Sequence, residues 1–173
     1  LDTVIGSISG RVLFTMVFPD TGLALAFLRD EKTAQTCTRI FNMLWRAAGP
    51  AFFTKIFRAI LTDNGTEFSA PEMIENYRPD PEHNPTKLLP RGVNVWFCDP
   101  YCSSQKPHIE RFHNDLRRIF QKGTSFNSLT QDQVSLALSH LNSYPRESLG
   151  GRVPYDVFVE KHGAAGKAFL DAL

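Results

Sequence analysis

Apolar residues cluster along this chain with two distinct periods. Residues 3–9, 11–18 and 22–28 are rich in Val, Ile, Leu and Phe, and Gly10 and Pro19-Asp20-Thr21-Gly22 separate them. This pattern predicts three consecutive antiparallel strands joined by tight turns. From Thr33 to Ala48 the period lengthens: Ile40, Phe41, Leu44, Trp45 and Ala48 recur at helical spacing. Gly49-Pro50 stops that helix. Residues 56–62 read as a buried strand ending at Asp63-Asn64-Gly65, a turn signal.

The stretch 69–92 breaks the pattern. It holds prolines 71, 79, 81, 85 and 90 among charged residues, so it should be mostly loop, with one helical turn around Pro71–Tyr77. A strand resumes at 93–98. Pro107 suits the first turn of a helix running to about Gln121, with Gly123 as its stop. Leu129–Tyr144 is helical, with Thr130 and Gln133 spaced as a capping box and Pro145 beyond the end. Pro154–Lys161 and Ala164–Leu173 read as two short helices. Trp45, Trp96 and Phe41 are assigned to the core. The order of three strands, helix, strand, strand and helices predicts an α/β fold, a mixed sheet with helices packed on it. The fourth strand lies parallel to the first.

The chain has 173 residues, which fits a single domain over 1–173 with a sizeable core. No apolar run reaches the length of a membrane span, and no secretion leader is visible. Cys37, Cys98 and Cys102 are an odd set, read as reduced thiols in a cytoplasm. Cys98, Cys102, His108 and His113 invite a zinc reading. His108 and His113, however, sit about 140° apart around a helix, and Cys98 reads as a strand-end core residue. The net charge of +1 says little about partners, but residues 106–122 carry five Lys or Arg against Glu110 and Asp115.

Three acids come from three separate predicted elements: Asp2 in the first strand, Asp63 after the fourth, and Glu110 near the start of the 107–121 helix. Carboxylates that converge only in three dimensions suit a hard divalent cation. Two such ions can clamp the attacking and leaving oxygens of a phosphodiester. Each acid also has an ordinary reading: a frayed end for Asp2, a turn residue for Asp63, a favoured helix-start acid for Glu110. Asp99, before a proline at a strand end, is a rival read as structural. On the helix, Ile109, Phe112, Leu116, Ile119 and Phe120 form the stripe assigned to the core. Glu110, Asn114, Arg117 and Gln121 form a polar one able to meet phosphate oxygens.

The element order and the placement of these acids resemble the ribonuclease H-like fold, with a five-stranded mixed sheet flanked by helices. Within it, the runs LTDNGTEF, FCDPYCSSQKPHIERFHNDLRR, QKGTSFNSLTQDQV and LNSYPRESLGGRVPYDVF resemble the catalytic core of DDE transposases and retroviral-type integrases. The likeness is narrowest to bacterial transposases of the insertion sequence thirty family. Two departures stand out. Pro107 replaces the Gly that usually follows the Gln-Lys pair, and the 69–92 insert widens the interval from Asp63 to Glu110.

The resemblance implies catalytic and metal-binding roles for Asp2, Asp63 and Glu110. It implies Mg²⁺, with Mn²⁺ as a substitute and two ions in the active complex. Partners would be double-stranded DNA, as transposon ends and target, and further copies of the chain. DNA contacts are expected from Tyr101, Gln105, Lys106, Asn114, Arg117, Arg118 and Lys122, with Asn64, Glu67 and His113 as supporting groups around the acids. Upstream DNA-binding helices typical of the family are not in this sequence, so it reads as an excised catalytic domain acting in a bacterial cytoplasm. Two other readings stay open: a nuclease of the same fold without strand transfer, and a non-catalytic DNA-binding or assembly module.

Overall fold

The computed structural model describes residues 1–7, 10–79, 87–99 and 102–173. Strands β1 (Asp2–Ile5), β2 (Val12–Val17) and β3 (Ala24–Arg29) form an antiparallel ladder in sequence order. Its register sets Asp2 opposite Thr15. β2 is almost wholly buried because both of its faces are covered. Phe14 and Met16 point into a core shared with α1 (Ala34–Ala48), α2 (Pro50–Ile56) and the C-terminal helix α6 (Pro154–Asp171). Leu13, with Val4 of β1, joins a second core against α4 (Pro107–Ile119) and α5 (Gln131–Asn142). Side chains alternate along a strand, so Asp2 shares the face of Val4, the one turned to α4.

The parallel pair β4 (Ala59–Thr62) and β7 (Asn94–Phe97) lies beyond β1. The expected five-stranded mixed sheet does not form as one continuous ladder: three strands and two strands make separate ladders. They meet where the Leu1 backbone nitrogen donates to the Leu61 carbonyl at 2.5 Å. The first strand ends at Ile5, short of the expected 3–9, of which residues 8–9 lie outside the described residues.

Several boundaries also move. Residues 56–58 are not strand. Pro50 does stop α1, but it also starts α2, since a proline at the first helical position loses no intrahelical bond. The 69–92 stretch has the helical turn expected around Pro71–Tyr77 and, beyond that expectation, a short strand pair. It holds a 3₁₀ turn at its border (Thr66–Phe68), helix α3 (Pro71–Glu75), and a two-stranded pair, β5 (Asn76–Tyr77) with β6 (Leu89–Pro90). Glu75 accepts the Val95 N–H at 2.9 Å, so this insert covers the outer edge of β7. The capping box at Thr130 and Gln133 is formed, with Thr130 Oγ1 accepting the Gln133 N–H at 3.3 Å. The two C-terminal helices are two arms of α6, broken at Gly163 with φ 63° and ψ −149°.

Two residues assigned to the core lie outside it. Trp96 is 60% exposed and Ile119 43%. Trp96 stands opposite Leu61 in the β4–β7 pair, and Leu61 is exposed with it. Ile119 is at the end of α4, past the part that packs on β2.

Candidate active site

Asp2 and Asp63 reach the same point from different elements. Asp2 leads β1 on the face turned to α4, and Asp63 follows the last residue of β4. Between them lies Lys106, the residue before the first turn of α4, with non-helical φ −122° and ψ 49°. Its Nζ stands 3.4 Å from Asp2 Oδ2, 3.4 Å from Asp63 Oδ2 and 3.5 Å from the Leu1 carbonyl. Three N–H donors thus meet three oxygens. The Lys106 side chain is 9% exposed, against 25% for Asp2 and 45% for Asp63, so its charge is the most desolvated of the three.

The loop after Asp63 is tightly fitted. Asp63 Oδ1 accepts the Gly65 N–H at 3.0 Å, and Asn64 Nδ2 donates to the Cys98 carbonyl at 3.3 Å, tying the ends of β4 and β7 together. Gly65 has ordinary backbone angles, so its lack of a side chain matters for space. A Cβ there would come within 2.4 Å of Glu67 Oε2 and 3.0 Å of Asp63 Oδ1. Glu67 is buried, 3.4 Å from Lys32 Nζ, and its Oε2 has no hydrogen-bond partner among the described residues. Arg29 shares this interior. It donates to Thr3 and Thr36 at 2.8 and 3.3 Å and lies over Phe14. Sequence reasoning missed Arg29, because a strand-end arginine gives no sign of being buried.

Helix α4 is held against β1 and β2 by His113 and Arg117. Thr15 Oγ1 donates to the Asp2 carbonyl at 3.0 Å and lies 2.8 Å from His113 Nε2. A hydroxyl has one proton, and that proton is spent on Asp2. Nε2 must therefore carry hydrogen and donate to Thr15. Burial first, with Arg117 and Lys106 adding to it, lowers the His113 pKa against an opposing pull from Asp2. Arg117 Nη2 donates to the Ile5 carbonyl at 2.9 Å. An arginine expected on DNA thus has a scaffold contact.

Glu110 occupies the first turn of α4, exposed, and its carboxylate has no ion pair or hydrogen bond among the described residues. No group of three or more His, Cys, Asp or Glu side chains is placed to hold a metal among those residues. The structure therefore brings together two of the three acids, with Glu110 one helical turn beyond Lys106. Asp99 accepts from Gln105 Nε2 at 2.8 Å, and its N–H donates to Gln105 Oε1 at 2.9 Å. This reciprocal pair closes the loop before α4 and occupies Gln105. Tyr101 lies outside the described residues. Asn114, Arg118 and Lys122 are exposed.

No family model matches this sequence. A Spiroplasma virus SpV1-R8A2 B protein named as an integrase, ORF3, is 25% identical over 167 residues, covering 92% of this chain and 45% of that protein. The transposase for insertion sequence element IS4351 of Bacteroides fragilis is 29% identical over 105 residues, 61% of this chain and 28% of its own length. Transposase InsI for insertion sequence element IS30A of Escherichia coli K12 is 33% identical over 66 residues, 38% of this chain and 17% of its own. The chain thus spans less than half the length of these relatives. The catalytic core domain of BIV integrase has the same fold, with a TM-score of 0.59 and 23% identity, covering 92% of this chain and 91% of that one.

The chain is thus similar to transposases and an integrase in sequence, and to an integrase catalytic core in fold. Among the described residues, no helix is long and apolar enough to cross a membrane.

Because unfolded histidine titrates near 6.5 and His113 titrates lower when folded, the unfolded state takes up the proton first as pH falls. Stability tied to this residue is complete above about pH 6.5 and is lost as pH drops below it. The melting temperature should fall between pH 7.5 and 5.5, and His113→Gln should flatten that fall. Equal slopes in the two proteins would remove His113 as its source.

Proposed function

We propose that this core cuts the phosphodiester at the ends of a mobile element and joins the released 3′-hydroxyl to target DNA, using divalent metal. The observation that supports this most is the convergence of Asp2 and Asp63, from separate elements, on one cation. A site that already gathers two carboxylates around an ammonium has the donor chemistry a hard divalent ion requires. Asp2 and Asp63 would hold the metal, and Glu110, on the same helix as Lys106, is assigned as the third ligand. When bound, such ions lower the pKa of an attacking water and stabilise charge on the leaving oxygen.

The chain's own residues do the positioning. The Asp63 carboxylate is aimed by the Gly65 N–H, and Asn64 fixes the loop to β7. Thr15 and His113 tie the Asp2 backbone to α4, so the strand acid and the helix acid ride on one rigid unit. Asn114, Arg118 and Lys122 extend along and beyond the exposed side of α4, where they would meet phosphate oxygens without reading sequence. No side chain is needed as a covalent nucleophile.

The test is a cleavage and strand-transfer assay with uncleaved and pre-cleaved element ends, a supercoiled target and Mn²⁺. Joined products are expected. Cleavage without joining at any metal concentration would make the core a nuclease of the same fold.

A further inference from the structure

We propose that Lys106 is a built-in counter-ion that holds the acid pair together before metal arrives and must be displaced when metal binds. The inference rests on the metal-dependent reading above and adds an internal competitor to it. Nothing in a purely DNA-binding lysine requires the observed geometry. Its ammonium is turned inward, 9% exposed, equidistant from one oxygen of each acid, with a backbone carbonyl as third acceptor. That is the place a bridging cation would occupy, at distances too long for a metal, whose bonds to oxygen are about 2 Å.

Two consequences follow from charge alone. Without a cation, two carboxylates at one site repel each other, so the lysine stabilises the metal-free protein. With metal between the acids, the ammonium faces a divalent charge at short range and has to leave. Its backbone is already non-helical and it precedes Pro107, so the side chain can swing without unwinding α4. The displaced charge then lies at the start of the helix that carries Arg111 and Arg118, with Lys122 beyond its end, where a phosphate is a better partner than a metal ion. Metal loading and DNA binding are thereby coupled through one residue.

Mn²⁺ titration of the metal-free chain, followed by calorimetry and by melting temperature, tests this in Lys106→Met, Lys106→Gln and Lys106→Arg. The Met and Gln variants should bind Mn²⁺ about tenfold more tightly or better, within the usual range of coupling between two ligands. Their metal-free melting temperature should drop and recover further on Mn²⁺ addition than the parent's does. Lys106→Arg should behave like the parent. Unchanged or weaker Mn²⁺ binding in both neutral variants, with the parent binding normally, would overturn the counter-ion role. Absence of Mn²⁺ binding in every variant and the parent would instead overturn the metal reading on which it rests. The Gln variant keeps a hydrogen-bond donor, so the comparison survives if the Met variant fails to fold.

Discussion

Asp63→Asn should abolish DNA cleavage by this core while leaving it folded. The Asn side chain has the same size and can still accept the Gly65 N–H that Asp63 Oδ1 takes at 3.0 Å. What it loses is the charge at Oδ2, the oxygen turned to the shared cation. Metal catalysis is worth several kcal/mol of charge stabilisation in the transition state, and each 1.36 kcal/mol is a factor of ten, so the single-turnover cleavage rate should fall about 1,000-fold or more. Far-ultraviolet circular dichroism should be unchanged. Asp99→Asn, in the reciprocal pair with Gln105, should lower cleavage far less. Near-normal cleavage by Asp63→Asn at equal folding would remove this acid from the chemistry.

The largest expected effect on stability is remote from that site. Arg91 is fully buried without a carboxylate partner among the described residues. Burial pushes its pKa down to about 10, so it remains charged at neutral pH. Its guanidinium donates to the Ile74 carbonyl at 2.7 Å, the Met73 carbonyl at 3.3 Å and the side chain of Asn42. It lies 5.7–5.8 Å from the ring centres of Trp45, Phe53 and Tyr77. Its backbone accepts from Thr54 at 2.7 Å and donates to the Glu75 carbonyl at 2.8 Å.

Two effects oppose each other in Arg91→Met. Removing a buried charge relieves desolvation, but it strands the acceptors that the fork satisfied. Each unsatisfied buried acceptor costs about 1–3 kcal/mol, and three are stranded, so the loss should win by about 3 kcal/mol. For a chain of this size that lowers the melting temperature by about 6–12 °C. A melting temperature within a degree of the parent would show that desolvation cancels the hydrogen bonds.

What the sequence made legible follows from which signals are local. The antiparallel ladder, α1, α4 and α5 with its capping box are written in periodicity and punctuation, and all are found near the expected positions. Gly65 could be recognised only as a turn residue. Its real constraint, the approach of Glu67 and Asp63 to one point, comes from the tertiary fold. Arg29 and Arg91 are invisible for a similar reason: an arginine in a strand or loop reads as exposed, and only the assembled core supplies the carbonyls and rings that hold it. The Pro50 helix was hidden because the same proline ends one helix and opens the next. In the insert the helical turn around Pro71–Tyr77 is legible and is found as α3, whereas the β5–β6 pair is not, because prolines suit sheet edges as well as loops.

The candidate site was legible in part. Asp2 and Asp63 were marked by strand ends, and the structure gathers them. Glu110 was marked by its place on α4 and is not gathered with them. The position of Lys106 between the acids carried no sequence signal beyond that of a basic residue near a helix start. Only geometry shows that it faces inward.

The central claim is that Asp2 and Asp63 share a divalent cation. The most direct measurement is the anomalous scattering of a crystal soaked in Mn²⁺. The account predicts a peak about 2 Å from an oxygen of each of the two acids, with the Lys106 ammonium withdrawn from between them. A crystal that takes up Mn²⁺ elsewhere, with Lys106 still bridging Asp2 and Asp63, would contradict it.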